Sequence, residues 1–415
     1  MDILTLISCL FLLTAISSAI NHKFLHLPMT IGIMIMAFIF SLILFISDYS
    51  ISFFSGYHFA KDILSDLDFP KLLLNGALAF LLFAGSLHIK LAELWKAKFN
   101  VASLAILGTL ICIFTLGSAF WLLFYLAPIS IPFIWCLILG SILAPTDPVA
   151  IINMLGRLGL PDRLQAIFAG ESLFNDGIAL LAFSTLITIA TTGIYPSAAG
   201  LSLVFIQEVF GSGILGAITA LIIIYIMKRI NHDEIMILFS LALAAGTFAL
   251  AGHLHMSGPI AVVVSGLLMG DYLQKRPNKE DHDTVTGFWH VIDEILNTSL
   301  FLLIGLEIMI IPFHPQTLLI SLLCIPFLIL SRFIAIGISG AVLLYKDSNR
   351  RGLISILTWG GLRGGISLAI ALSLPDGELK SDILIITYVC VIFTIIVQGL
   401  TMEKVINYFY KLNKK

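Results

Sequence analysis

Charged residues are scarce in this chain of 415 residues. Asp, Glu, Lys and Arg make up 12% of the sequence, whereas a soluble domain has about 25%. Hydrophobic residues make up 59%, and the mean hydropathy is +1.04. This composition excludes an ordinary soluble domain and is typical of a protein that crosses the membrane many times. Clusters of basic residues are also rare, so we expect no nucleic-acid partner.

Paired cysteines and the motifs of common enzymes are missing as well. The five cysteines lie in apolar runs and none is spaced as a metal-ligand pair, so we expect neither a disulfide framework nor a structural metal. The chain has no Gly-x-Ser-x-Gly and no His-Glu-x-x-His motif. The glycine-rich stretch 360–365 lacks the strand context of a dinucleotide site. These absences argue against an enzyme and against a resident cofactor.

The apolar runs predict an all-α polytopic membrane protein with thirteen transmembrane helices. A helix needs about 17–25 apolar residues to cross a bilayer. The first run has Asp2 and no basic residue ahead of it, so we interpret it as a span rather than a signal peptide. We place the spans near residues 2–20, 24–47, 70–88, 99–126, 131–155, 163–191, 201–227, 235–252, 257–273, 287–310, 315–345, 351–373 and 383–409.

Lysines and arginines fall mostly on one side of these spans. Of the 23, 18 lie in the loops after odd-numbered spans or in the C-terminal tail, three lie on the other side, and Arg332 and Arg363 lie within spans. The positive-inside rule then places the N-terminus outside and the C-terminus in the cytoplasm. We expect a multi-pass protein of the plasma membrane, which is the inner membrane in a bacterium.

Two of the spans carry residues that interrupt a helix at mid-depth. Span five contains Pro145 and Pro148, which have no backbone N–H and push the preceding residues out of the α region. Span twelve places four glycines around Arg363 within residues 360–365. Interrupted helices at matching positions of two halves are typical of an inverted-repeat transporter with its site at the midplane.

Five charged residues lie deep within the predicted spans, where a carboxylate costs about 2.5–3.5 kcal/mol. They are Asp147, Glu171, Asp176, Arg332 and Arg363. The two arginines can neutralise two of the acids, which leaves one carboxylate uncommitted. That carboxylate should bind either a proton or a monovalent cation, since either one neutralises it. The count predicts electroneutral exchange of one cation for one proton.

The oxygen ligands for such a cation come from spans five and six. Ser172 and Asp176 are four residues apart and share one face of a helix. The interrupted backbone near Thr146 and Asp147 offers further oxygen atoms. A hard cation prefers oxygen ligands of this kind, so these four residues are the candidate binding site.

These motifs resemble the monovalent cation:proton antiporter-1 family, which includes the NhaP-type bacterial sodium/proton antiporters and their eukaryotic NHE relatives. The matching residues are Thr146-Asp147-Pro148, Gly170 to Gly177, Arg332, and Gly360 to Gly365. The resemblance implies an inverted-repeat antiporter fold in which the broken spans five and twelve cross. It also implies a homodimer, a role in pH homeostasis, and transport by an elevator mechanism within the single transporter domain 1–415. The dimerisation part would be 1–90 and 201–310, and the core transport part 99–191 and 315–410.

The resemblance assigns a role to each motif residue. Asp176 would carry the proton or the cation. The residues implied to complete the Na⁺ and proton site are Ser172, Thr146, Asp147 and Asn175. The residues implied to form structural ion pairs are Glu171 with Arg332, and Arg363 near Asp147.

One position departs from the family pattern. Many NhaP-type proteins have a Phe-Glu-Gly motif in span three, where this chain reads Phe83-Ala84-Gly85. The loss of that carboxylate leaves the choice between sodium and potassium open. The preferred interpretation is a Na⁺(Li⁺)/H⁺ antiporter, and the alternatives are a K⁺/H⁺ or non-selective exchanger and, from another class, a cation channel. Candidate pH-sensing residues on the cytoplasmic side are His232, His282 and His290.

Overall fold

The computed structural model is all-helical over the residues that it describes. These are residues 3–50, 68–127, 131–147, 149–229, 232–276, 279–309, 311, 315–340 and 350–410. Pro148 of the predicted interruption and the side chain of His282 lie outside the described set.

Sixteen helices follow one another along these ranges. Their bounds are α1 (Ile3–Ile20), α2 (Met29–Ser50), α3 (Phe69–Leu87), α4 (Leu91–Lys96), α5 (Lys98–Leu126), α6 (Phe133–Ile142), α7 (Val149–Arg157), α8 (Asp162–Thr192), α9 (Ala199–Met227), α10 (Asp233–His253), α11 (Gly258–Gln274), α12 (Lys279–Leu306), α13 (Pro315–Gly340), α14 (Arg350–Trp359), α15 (Gly365–Leu372) and α16 (Leu379–Phe409). A π-helical turn, Asn21–Leu25, extends α1, and a 3₁₀ turn, Glu307–Met309, extends α12.

Nine helices within the described ranges are long and apolar enough to cross a membrane. The count of thirteen spans therefore remains a prediction. Two pairs of shorter helices are separated by non-helical backbone: residues 144–147 lie between α6 and α7, and residues 361–364 lie between α14 and α15. We call these two stretches the first and the second unwound segment.

The long helix α8 positions most of the candidate site. It has 31 residues and starts directly after Pro161, which cannot continue a preceding helix. It ends at Gly193, whose φ of 69° is the left-handed conformation that favours glycine at a helix end. Its middle, from Phe168 to Ala179, is almost entirely buried. Polar side chains in this stretch therefore face other helices instead of lipid.

The helices pack in two groups that meet at α8. In the first group α2 and α3 lie against α12, and α3, α9 and α10 lie against α11. In the second group α5 lies against α6 and α13, while α13 and α15 lie against α16. α8 contacts α3 and α11 of the first group and α6 of the second. Side chains of α8 can thus bind partners from either group.

A close approach between α5 and α6 depends on glycine. A Cβ atom on Gly140 would lie 2.6 Å from the carbonyl oxygen of Ile113 and 3.2 Å from the backbone nitrogen of Gly117. Small residues let membrane helices approach to backbone contact, which is where their packing energy comes from. α6 ends two residues after Gly140, at Ile142, just before the first unwound segment.

We expect Gly140→Ala to destabilise the protein by about 1–3 kcal/mol, because the added methyl group forces α5 and α6 apart. The measurement is the thermal unfolding temperature of the purified protein in detergent. Gly246→Ala on α10 is the matched control, since a Cβ atom there meets nothing within 4 Å. Equal unfolding temperatures for the two variants would contradict the proposed close contact.

Candidate functional site

A cavity of about 280 Å³ lies between α3, α8, α12 and the two unwound segments. Its polar lining residues are Thr146, Asp147, Asp176, Asp293, Asn297, His88 and His290. Most of the remaining wall is apolar, with leucines from α3, α8 and α12. A volume of this size holds several water molecules, so the cavity can admit a partly hydrated small ion.

A wider vestibule of about 630 Å³ adjoins this cavity. The two spaces share His290, Asp293 and Asn297 of α12 as lining residues. The vestibule also carries the carboxylates of Glu294 and Glu403. An ion that enters from the vestibule therefore meets acidic side chains before it reaches the cavity.

The two unwound segments contact each other and satisfy each other's backbone. The N–H of Asp147 donates a hydrogen bond to the carbonyl oxygen of Leu362 at 2.8 Å. The guanidinium of Arg363 donates to the carbonyl oxygens of Ala144 and Pro145, the latter at 2.9 Å. Inside a membrane an unpaired backbone group costs several kcal/mol, so these bonds make the interruption tolerable.

Gly364 lets the segments come this close. A Cβ atom there would lie 2.6 Å from Oδ2 of Asp147, so any larger residue would displace the carboxylate. The N–H of Arg363 donates to Oγ1 of Thr394 on α16 at 3.0 Å, which fixes the second segment from behind. The family resemblance implies that Arg363 lies near Asp147. Arg363 hydrogen-bonds to carbonyl oxygens of the unwound segment that contains Asp147.

Glu171 and Arg332 form a buried ion pair between α8 and α13. The two guanidinium nitrogens donate to the two carboxylate oxygens at 2.8 and 2.7 Å. The side chains are 1% and 4% exposed, respectively. A bidentate pair of this kind fixes both the position and the orientation of the two side chains. Glu171 is therefore committed to Arg332.

Asn175 joins this ion pair to the first unwound segment. Its Nδ2 donates to Oε1 of Glu171 at 3.0 Å and to Oγ1 of Thr146 at 2.7 Å. Its Oδ1 accepts the backbone N–H of Thr146 at 3.4 Å. The Thr146 hydroxyl also lies 3.0 Å from Oγ of Ser172. The network holds the Thr146 hydroxyl at the cavity wall and ties the Ser172 hydroxyl to it.

Asp176 differs from these neighbours on α8. It is 2% exposed, and its Oδ1 has no hydrogen-bond partner among the described residues. It nevertheless lines the cavity. A buried polar atom without a partner is rare and costly, and no described residue supplies a partner to this oxygen.

Of the residues predicted from spans five and six, Thr146, Asp147 and Asp176 line one cavity. Ser172 and Asn175 hydrogen-bond to Thr146 and are not among the lining residues.

The cavity also has polar lining residues that sequence reasoning missed. Asp293 and Asn297 of α12 line the same cavity. Their only sequence signal is an acid and an amide four residues apart at the start of an apolar run. Ala84, by contrast, is fully buried and does not line the cavity, although other residues of α3 do.

Comparison with known proteins identifies the family to which this chain belongs. The sequence model of the family described as "Sodium/hydrogen exchanger, transmembrane" matches residues 10–407, which is nearly the whole chain. The chain belongs to this family. It is therefore a multi-pass transporter among the monovalent cation:proton antiporters, and it is not an enzyme.

Individual members of the family match over most of their length. The chain is 36% identical to the Na(+)/H(+) antiporter NhaP of Pseudomonas aeruginosa over 417 residues, which cover 98% of this chain and 97% of that one. It is 34% identical to the Na(+)/H(+) antiporter NhaH of Halobacillus aidingensis, over 80% of this chain and 81% of that one. The solved sodium proton antiporter MjNhaP1 from Methanocaldococcus jannaschii covers 100% of both chains with a TM-score of 0.75 at 18% identity. The exchanger thus has the fold of that antiporter.

We expect Arg332→Ala to destabilise this exchanger by about 3–5 kcal/mol, because it leaves Glu171 charged and buried without its partner. Folded yield and thermal unfolding in detergent are the measurements. The double variant Glu171→Gln, Arg332→Gln removes both charges and should regain much of the lost stability. Normal yield and stability for Arg332→Ala alone would mean that the pair is dispensable.

Proposed function

We propose that this chain is a secondary-active antiporter that exchanges one Na⁺ or Li⁺ for one proton at Asp176. The observation that carries the proposal is the buried carboxylate of Asp176, which lines the cavity and has an oxygen without a hydrogen-bond partner in the described part of the chain. A carboxylate in this position is stable when it binds a proton or a cation, and each excludes the other. The names of the relatives support sodium as the cation.

The cation ligands in this proposal are oxygen atoms around Asp176. The hydroxyl of Ser172 lies one helical turn away on the same face of α8. Thr146 and Asp147 of the first unwound segment line the same cavity as Asp176. Asn175 holds Thr146 in place and does not itself need to touch the ion. Hard monovalent cations fit such a set of carboxylate, hydroxyl and carbonyl oxygens.

The stoichiometry follows from which charges are already committed. Arg332 neutralises Glu171, and Arg363 places its positive charge on the segment that carries Asp147. Asp176 is then the carboxylate that changes its ligand during transport. One cation leaves as one proton binds, so the net charge moved in each cycle is zero.

The proposed architecture has thirteen spans, with α6–α7 and α14–α15 as the two broken, crossing helices. The two packing groups of helices support a dimerisation part (1–90 and 201–310) and a mobile core (99–191 and 315–410). Movement of the core against the dimerisation part, in a homodimer, gives alternating access. The vestibule is lined by residues 26–30 and by Glu403. The charge pattern places these residues on the cytoplasmic side of the inner membrane. This conformation is therefore open to the cytoplasm.

Potassium remains the second candidate ion. Ala84 stands where many family members carry a glutamate, so one carboxylate ligand is missing from α3. Fewer charged ligands weaken the preference for the smaller, more strongly hydrated sodium ion. A K⁺/H⁺ or non-selective exchanger is therefore the alternative within the same mechanism.

We expect Asp176→Asn to abolish cation-driven proton exchange in proteoliposomes, because an amide cannot take up and release the proton and has no negative charge to neutralise the cation. The protein should still insert and purify, since the substitution is isosteric and removes a buried charge. Asp162→Asn, at the exposed start of the same helix, is the matched control and should exchange normally. Retained exchange in Asp176→Asn would overturn the assignment of the carrier.

A further inference from the structure

A third carboxylate faces the cavity from α12. Asp293 lines both the vestibule and the cavity, so it stands where the two spaces meet. Asp147 and Asp176 line only the inner space. A cation that moves from the vestibule toward Asp176 therefore passes Asp293 first.

Asn297 holds this carboxylate in position. Its Nδ2 donates to Oδ1 of Asp293 at 2.9 Å and to the main-chain carbonyl of Asp293, also at 2.9 Å. Asn297 is 4% exposed and itself lines both spaces. One oxygen of Asp293 is thus oriented by a buried amide, and the half-buried side chain keeps its access to the vestibule.

The part of the cavity wall formed by α12 carries an acidic side chain, whereas the part formed by α3 carries none. The residues of α3 that line the cavity are Leu78, Leu81, Leu82 and Gly85, followed by His88 directly after the helix, and none of these is an acid. Ala84 occupies the position of the family glutamate and is buried away from the cavity. In this chain the acid that lines the cavity from the first packing group is Asp293 of α12.

We propose that Asp293, oriented by Asn297, is the first ligand for the incoming monovalent cation and sets the apparent cation affinity. The inference rests on the proposed antiport function and extends it to a second cation-binding position. At this position the cation exchanges part of its water shell for a carboxylate oxygen of Asp293, and it then moves on to Asp176. A carboxylate at the mouth of the cavity attracts a nearby cation electrostatically, so it concentrates the ion at the entrance to the inner space.

The test is a titration of Na⁺-driven proton exchange in proteoliposomes that contain the full chain. Asp293→Asn should raise the KM for Na⁺ about tenfold, because it removes a charge that attracts the ion. The maximal rate should stay within about twofold, because the carrier Asp176 is intact. Asp293→Glu should restore most of the affinity, since it returns the charge. A parallel titration with Li⁺ should give the same order of variants.

Glu294→Gln is the matched control. Glu294 is the next residue on α12 and carries the same charge, but it lines only the vestibule. Its KM should remain within about twofold of the unmodified protein. Asn297→Ala should raise the KM by less than Asp293→Asn, because the carboxylate remains but is no longer oriented.

The outcomes distinguish a failure of this inference from a failure of the proposed antiport function. An unchanged KM in Asp293→Asn, or a loss of maximal rate without a change in KM, overturns the role of Asp293 and leaves the antiporter intact. An absence of exchange in the unmodified protein contradicts the proposed function instead. If Asp293→Asn does not accumulate as folded protein, Asn297→Ala decides: a raised KM supports the inference and an unchanged KM overturns it.

Discussion

A charged carboxylate inside a membrane must find a counter-charge, a proton or a metal cation, and the arrangement of this site follows from that constraint. Glu171 meets it with Arg332, through two short hydrogen bonds in a buried pair. Asn175 extends the pair to Thr146 and so uses up the polar groups next to Glu171. Asp176, one residue further along α8, receives no such partner for its Oδ1 from the residues described. In the proposed mechanism, the commitment of its neighbours leaves Asp176 as the carboxylate that exchanges ligands.

The membrane interior imposes a second condition, which concerns the backbone. A helix that ends inside the bilayer exposes N–H and carbonyl groups that water cannot reach. The two unwound segments solve this problem together, because Asp147 bonds to Leu362 and Arg363 bonds to the carbonyls of Ala144 and Pro145. The backbone that lines the cavity is thereby held in place without being helical. Glycine at position 364 is needed because a side chain there would displace Asp147.

The sequence predicts those parts of the site that depend on local chemistry. Pro145 cannot continue a helix, and residues four apart on α8 must share a face, so the oxygen atoms near Thr146 and Asp176 could be inferred before the structure. The partners of Arg363 and the position of Asp293 could not, because they depend on how α12 and the unwound segments pack against α8. Nine long apolar helices are present in the described residues. The total of thirteen spans and the division into two parts remain predictions.

The most direct test measures whether exchange moves net charge. Proteoliposomes with a trapped pH-sensitive dye receive an imposed proton gradient, and Na⁺ is then added at several clamped membrane potentials. If Asp176 is the one carboxylate that alternates between a proton and a cation, the gradient should collapse on addition of Na⁺ at a rate that does not depend on the potential. A rate that changes steeply with the potential would mean that a further charge moves in each cycle, and it would contradict electroneutral exchange at Asp176.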